Sequence, residues 1–156
     1  MKRNAQAITI AVLVAVAAAV LGRQWGWSPS RSPAGRTPQD AIYSMLDAAR
    51  EGDVGAYLDS YSGRLRAELE QGVREQGKRQ FGESLRTANA AIKGIAINVP
   101  EPMPEGRVRA RVEYVYQDRN EVQWMYLEQV DSRWRIGRVE AAQRIPTVVP
   151  YGTPVE

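Results

Sequence analysis

The stretch Arg107-Val-Arg-Ala-Arg-Val-Glu-Tyr-Val-Tyr-Gln117 alternates polar and apolar side chains more regularly than any other part of the chain. A period of two predicts a β-strand with one face toward a core and the other toward solvent. The inward residues would be Val108, Ala110, Val112, Tyr114 and Tyr116. The outward residues would be Arg107, Arg109, Arg111 and Glu113. This strand therefore predicts an antiparallel sheet that is covered on one face only.

Three further runs have the same period and predict the neighbouring strands. They are residues 92–99, which end in a proline-rich segment, 121–130 and 133–141. In the second run we expect Val122, Trp124 and Tyr126 to face inward and Met125 and Leu127 to face outward. The apolar parity of the third run changes after Gly137, which predicts a β-bulge there.

Helical spacing precedes the strands. Thr37, Pro38 and Asp40 are typical of a capped helix start, and the helix is expected to end at Gly52. Asp53 would cap a second, short helix, and residues 64–87 are expected to form two helices or one bent helix. Helices followed by a meander of strands predict an α+β domain with the helices on one sheet face.

The N-terminus predicts a membrane anchor over residues 1–27. An apolar run follows Lys2 and Arg3, and Trp25 and Trp27 stand where an aromatic belt would lie. A signal peptide cleaved after small residues at 15–19 is the alternative. Either interpretation exports the domain, and the anchor would be single-pass in the inner (cytoplasmic) membrane, with the N-terminus in the cytoplasm and the domain periplasmic. The anchor residues would be Ile8, Ile10, Val12, Leu13, Val16, Val20, Leu21, Trp25 and Trp27.

Charge and composition exclude several function classes. Residues 1–36 hold five basic and no acidic side chains, so the remaining residues, with 16 basic and 18 acidic, have a net charge of −2. This balance argues against nucleic acid as a partner. The chain has no Cys and no His, which excludes a thiol nucleophile, a Cys-ligated zinc and a histidine base. We expect no catalytic residues, no metal and no cofactor.

The helix pair resembles the opening of NTF2-like (cystatin-like cone) domains. The resemblance lies in Pro38–Leu58, where an alanine-rich helix ends in Gly52-Asp53 before a second helix, and in Asp131-Ser-Arg-Trp-Arg-Ile136. It covers residues 37–142, between a Pro/Ser-rich linker (28–36) and an extended tail (143–156). It implies a cone between helices and sheet, which in some members is the active site of an isomerase or dehydratase. It also implies an architecture in which an anchored, exported domain serves as a scaffold subunit of a bacterial envelope complex.

Two sets of residues are candidates for function. The candidate pocket consists of Tyr57, Tyr61, Tyr114, Tyr116, Trp124 and Tyr126, which would line the cone or else fill the core. The candidate interface on the outward sheet face consists of Arg107, Arg109, Arg111, Met125, Leu127, Arg133 and Arg135. An acid inside the cone could be Asp59, which is next to the apolar residues of the short second helix. We expect Asp59 instead to be an exposed acid on the surface of that helix.

These patterns predict a non-catalytic, membrane-anchored accessory or assembly subunit. Its partners would be the lipid bilayer and either other membrane-complex subunits or a second copy of itself. The alternative is a ligand-binding protein or an isomerase- or dehydratase-type enzyme that uses the cone.

Overall fold

Four helices come first in the part of the chain that the structure describes. The structure is a computed structural model, and it describes residues 35–145. The helices are α1 (Pro38–Glu51), α2 (Val54–Asp59), α3 (Gly63–Gln76) and α4 (Lys78–Ala90).

Local sequence signals account for the helix boundaries. The Thr37 hydroxyl accepts from the Asp40 N–H, and the Asp40 carboxylate accepts from the Thr37 N–H, which is a capping box. Gly52 ends α1 in the left-handed conformation, and Asp53 caps α2. Gly77, at φ 85°, separates α3 from α4. The predicted helices are confirmed, and the long third segment is two helices.

Six antiparallel strands form one curved sheet. They are β1 (Ile92–Ile97), β2 (Glu101–Pro102), β3 (Val108–Tyr116), β4 (Asn120–Val130), β5 (Arg133–Val139) and β6 (Gln143–Ile145). The order is β1-β3-β4-β5; β2 also pairs with β3, and β6 with β4. The predicted α+β class is therefore confirmed. Gln143–Ile145, the first residues of the predicted extended tail, pairs with β4 and belongs to the sheet.

The helices pack on one face of the sheet, here called the inner face. The core joins α1 residues such as Ile42, Met45 and Leu46 to Val112 and Ile136 of the strands. Burial of such side chains contributes about 1.5–3 kcal/mol each.

Gly82 of α4 packs against Gly52, the residue that ends α1. A Cβ on Gly82 would lie 2.8 Å from the Gly52 carbonyl oxygen, so glycine permits this close approach. Arg86 donates to the Glu51 carbonyl at the end of α1.

The outer edge of β5 is covered by two chain segments. The Trp134 N–H donates to the Gly35 carbonyl at 2.8 Å, and the Ile136 N–H donates to the Ser60 carbonyl at 2.8 Å. The Ser62 N–H in turn donates to the Ile136 carbonyl. These bonds satisfy polar groups that an edge strand otherwise leaves open.

The predicted bulge at Gly137 is confirmed by the pairing of β4 with β5. Tyr126 pairs with Arg138 and Leu127 with Ile136, so Gly137 is the extra residue. A Cβ there would lie 3.1 Å from a carboxylate oxygen of Glu128, which accepts from the Ser62 hydroxyl. The missing side chain leaves room for this hydrogen bond.

The predicted anchor and most of the linker lie outside the described residues, as does the tail from residue 146. Within residues 35–145, no helix is long and apolar enough to cross a membrane.

Candidate interaction surface

Pairing between β3 and β4 decides which side chains share a face. Ala110 lies opposite Met125, and Val108 lies opposite Leu127. Directly opposed residues of an antiparallel pair point to the same side of the sheet. Met125 and Leu127 are 0% and 1% exposed and belong to the core. Their predicted place on the outward face is therefore wrong.

The same register moves two predicted pocket residues to the opposite side. Trp124 lies opposite Arg111, and Tyr126 lies opposite Arg109. The two rings thus share the outer face with the arginines and cannot line a cone between helices and sheet. The β4 residues that were expected to face inward face outward, and the reverse. Successive side chains of a strand point to opposite faces, so a shift of one residue exchanges the two sets.

On the outer face, guanidinium groups lie over the aromatic rings. The Arg109 Cζ lies 4.6 Å from the centre of the Trp124 ring, and the Arg138 Cζ lies 3.8 Å from that of Tyr126. Arg138 was not among the predicted interface residues. A cation over an aromatic face is attracted by the quadrupole of the ring, and arginine can stack while its edge donates hydrogen bonds.

Carboxylates on the same side of the sheet accept from the edges of these guanidinium groups. Arg109 donates to Glu101 at 2.7 Å, and Arg111 donates to Glu113 at 3.4 Å. The hydrogen bond from Arg109 to Glu101 raises the pKa of Arg109, so this side chain stays charged. Most of the face is consequently a mixed network and not a positively charged patch.

Glu140 completes this network beside Tyr126. Its carboxylate accepts from the Tyr126 hydroxyl and from Arg138 at 3.3 Å. We call the set of Glu101, Arg109, Arg111, Glu113, Trp124, Tyr126, Arg138 and Glu140 the arginine–aromatic face. It presents flat, partly exposed rings inside a polar rim, which is the composition of many protein interfaces.

The other predicted interface arginines lie near one end of the sheet. Arg107 pairs with Glu105 at 2.9 Å. Arg133 and Arg135 are on β5, opposite Val130 and Glu128. Within the described part of the chain, neither of them forms an ion pair.

Three of the predicted pocket tyrosines do lie together, in the core between α2 and β3. Tyr57, Tyr61 and Tyr114 are each at most 1% exposed. The Tyr61 hydroxyl donates to that of Tyr57 at 2.8 Å, and the Tyr57 and Tyr61 rings meet edge to face. Burial raises the pKa of all three phenols, because the charged phenolate would lose its hydration. They are neutral hydrogen-bonding groups at ordinary pH.

A buried glutamine of β4 extends this tyrosine cluster toward the end of β5. Gln123 is 1% exposed; its Nε2 donates to the Glu140 carbonyl, and its Oε1 lies 3.4 Å from the Tyr114 hydroxyl. Among residues 35–145, every buried side-chain nitrogen and oxygen has a hydrogen-bond partner. The cluster is thus internally satisfied.

Tyr116, the last predicted pocket residue, lies apart from these three. It is half-buried near the end of β3, where the Arg119 guanidinium lies 4.1 Å from its ring centre. Burial raises its pKa to about 12. The six predicted pocket residues therefore occupy three places: core, strand end and outer face.

The acid considered for the cone is on the surface. The Asp59 side chain is 71% exposed and pairs with Arg66 at 3.1 Å. No cluster of three or more acidic side chains within the described range is arranged to hold a metal ion.

Comparison with known proteins adds no assignment. No protein-family model, curated protein or solved structure matches this chain.

Proposed function

We propose that this chain is a single-pass, membrane-anchored accessory subunit of a bacterial envelope complex, and that it binds its partner protein through the arginine–aromatic face. The domain is of the NTF2-like type and extracytoplasmic, held by the helix of residues 1–27. Its role is assembly and not catalysis.

The observation that carries this proposal is the contrast between what covers the two sheet faces. The described helices contribute their apolar side chains to the core on the inner face. Among residues 35–145, no helix packs on the outer face, where Trp124 and Tyr126 remain partly exposed. Tryptophan, tyrosine and arginine are the residues that most often dominate binding energy at protein interfaces.

The arrangement of the arginines supports a protein partner over a simple polyanion. Arg109, Arg111 and Arg138 already have glutamate partners, so they are held in place before binding. Ordered side chains lose less entropy on association. A partner would gain ring contacts and hydrogen bonds to the remaining N–H groups, without needing a high density of negative charge.

The order of the elements supports an NTF2-like domain. Two helices separated by Gly52-Asp53 precede a curved antiparallel sheet, and Trp134 and Ile136 lie on a late hairpin strand, as the resemblance implies. The interior of this domain is occupied by Tyr57, Tyr61 and Tyr114, which supports a core role for these residues.

Comparative purification of the native, full-length protein tests the proposal. The face variant combines Arg109→Ala, Trp124→Ala and Arg138→Ala. We expect it to lose at least about 90% of a membrane-protein partner that the unaltered chain retains in mild detergent, because two or three hot-spot residues lost together cost several kcal/mol. The measurement is quantitative mass spectrometry of both preparations.

A control variant that also removes two arginines and one aromatic ring separates this face from the general surface. Arg64→Ala, Arg74→Ala and Tyr43→Ala remove two arginines and one exposed ring from the helices. This variant should keep the partner. Equal retention by both variants, or equal loss, would contradict a partner site on the arginine–aromatic face.

A further inference from the structure

The first described residue lies directly beside the turn between β4 and β5. The Gly35 carbonyl accepts from the Trp134 N–H at 2.8 Å, and a Cβ on Gly35 would lie 3.5 Å from the Cβ of Arg133. Gly35 is buried in this position. The chain therefore enters the domain at this end of the sheet.

The length of the tether then limits which end of the domain can lie near a membrane. Eight Cα–Cα steps join Trp27, the end of the predicted anchor, to Gly35. Even fully extended they span at most roughly 28 Å. Strand β4, with 11 residues, is roughly 35 Å long and leads from this end to the opposite turn between β3 and β4. The tether therefore keeps the end of the sheet at Asp131 and Ser132, here called the proximal end, near the anchor, and it excludes an upright domain that stands on the opposite, distal turn.

Three arginines at this proximal end have no ion-pair partner within residues 35–145. Arg36 follows Gly35 and is exposed, Arg133 is exposed, and Arg135 is partly exposed. Three acids are near them in sequence or register: Asp131 in the turn, Glu128 opposite Arg135, and Asp40 of the capping box. The Glu128 carboxylate accepts from the Ser62 hydroxyl and that of Asp40 from the Thr37 N–H. Within residues 35–145 none of these acids forms an ion pair with the three arginines, so their guanidinium edges keep free donors.

The opposite turn has a different charge arrangement. Arg119 pairs there with both Asp118 and Glu121, at 3.0 and 2.6 Å. Its guanidinium also lies over Tyr116. The arginine of the distal turn is therefore already neutralised, whereas the arginines beside the proximal turn are unpaired. Arg144 on β6, opposite Glu121, is an exposed arginine of the distal end that has no ion pair within residues 35–145.

We propose that Arg36, Arg133 and Arg135 bind anionic phospholipid headgroups and so hold the β4–β5 turn against the membrane surface. Guanidinium groups bind phosphate through paired N–H donors, and basic residues near an anionic surface are attracted to it. This contact fixes the orientation of the domain and leaves the arginine–aromatic face directed sideways toward a partner subunit. This inference rests on the proposed function, in which residues 1–27 anchor the domain to the membrane.

Fluorescence quenching in vesicles tests this orientation with the full chain. The chain has no cysteine, so Gln129→Cys at the proximal end and Gln117→Cys at the distal end each provide one labelling site. Both glutamines are exposed, and neither change alters charge. A fluorophore on each is read against a quencher attached to lipid headgroups.

In phosphatidylcholine vesicles containing about 30 mol% phosphatidylglycerol, we expect at least about threefold stronger quenching at position 129 than at position 117. The difference should shrink to less than about half in pure phosphatidylcholine, or with Arg133→Gln and Arg135→Gln combined. Arg64→Gln with Arg79→Gln, which removes the same charge from the helices, should leave it unchanged.

Two results would overturn the inference. One is equal quenching at positions 129 and 117. The other is a difference that persists in neutral lipid and in the Arg133/Arg135 variant, since the tether alone would then account for it. Resistance of the chain to extraction by alkaline carbonate tests the anchor separately: a chain that washes off refutes the proposed function, whereas an anchored chain with equal quenching refutes only the orientation.

Discussion

The two faces of the sheet use similar residue types in opposite ways. On the inner face, Tyr57, Tyr61 and Tyr114 are buried and bond to neutral partners. On the outer face, Trp124 and Tyr126 are partly exposed, and arginines lie over their rings. Aromatic content alone therefore does not distinguish the two faces; the accompanying charge does.

This difference separates the residues that stabilise the domain from those of the proposed interface. Inner-face contacts are with the helices and contribute apolar burial. Outer-face ion pairs such as Arg109–Glu101 are partly solvated, and such pairs contribute little to stability. Substitutions on adjacent positions of one strand should consequently have very different effects.

The largest expected effect comes from Leu127, compared with its neighbour Tyr126. Leu127→Ala removes a core side chain that is 1% exposed and should lower the free energy of unfolding by about 2–5 kcal/mol. Tyr126→Ala, on the outer face, should cost about 1 kcal/mol. Urea unfolding in mild detergent, followed by circular dichroism, measures both. Equal costs, or the reverse order, would contradict the assignment of the two faces.

The next effect concerns the buried hydroxyl groups and pH. Tyr61→Phe leaves the Tyr57 hydroxyl without the donor it has in the structure, which should cost about 1–3 kcal/mol. Burial raises the pKa of Tyr57, Tyr61 and Tyr114 above the ordinary value of 10.0, so above pH 10 the unfolded chain binds fewer protons than the folded one. Stability is therefore unaffected by these groups below pH 10 and falls as pH rises above it.

The slope of the free energy of unfolding against pH, above pH 10, identifies the tyrosines that contribute to the loss. The slope from each buried phenol is roughly 0.7 kcal/mol per pH unit at pH 10 and approaches roughly 1.4 near pH 11, so Tyr61→Phe should make the decline shallower by about those amounts. Urea unfolding at several pH values between 9 and 11 gives the slope. Tyr43→Phe, at a side chain that is 49% exposed, is the control and should leave the slope as it is.

A smaller effect is expected from the arginine over Tyr126. Arg138→Met keeps an unbranched stem over the ring but removes the charge and its contact with Glu140. Because the side chain is 63% exposed, we expect a loss of only about 0.5–1 kcal/mol. A change above about 3 kcal/mol in urea unfolding would mean that the outer face is part of the folding core.

The sequence is sufficient for most of the fold and for the β3 residues of the candidate surface. Caps at Thr37 and Asp53, the break at Gly77 and the strict alternation of β3 are local signals, and each predicted its element. The bulge at Gly137 was also visible as a change of parity. The arginines of β3 were therefore placed on the correct face.

The inward and outward faces of β4 cannot be predicted from alternation in the same way, because apolar residues lie on both faces of this strand. Met125 and Leu127 alternate with Trp124 and Tyr126, and the buried polar Gln123 breaks the pattern further. Only the register with β3 decides the face, and register depends on the turn and on long-range packing. Arg138 was likewise missed, because its position over Tyr126 follows from the bulge and not from its own strand's alternation.

The smallest expected effect tests the turn that sets the register between β4 and β5. Asp131 and Ser132 both have positive φ, 51° and 63°, as in a two-residue type I′ hairpin turn. Ser132→Gly should raise the free energy of unfolding by about 0.5–1 kcal/mol, since a left-handed conformation costs an L-residue more than glycine. The same change in a right-handed helix, Ser84→Gly in α4, should instead lower it by roughly 0.5–1 kcal/mol. Urea unfolding of the two variants therefore has opposite expected signs, and a destabilising Ser132→Gly would mean that this turn does not hold the strands in the register that separates the two faces.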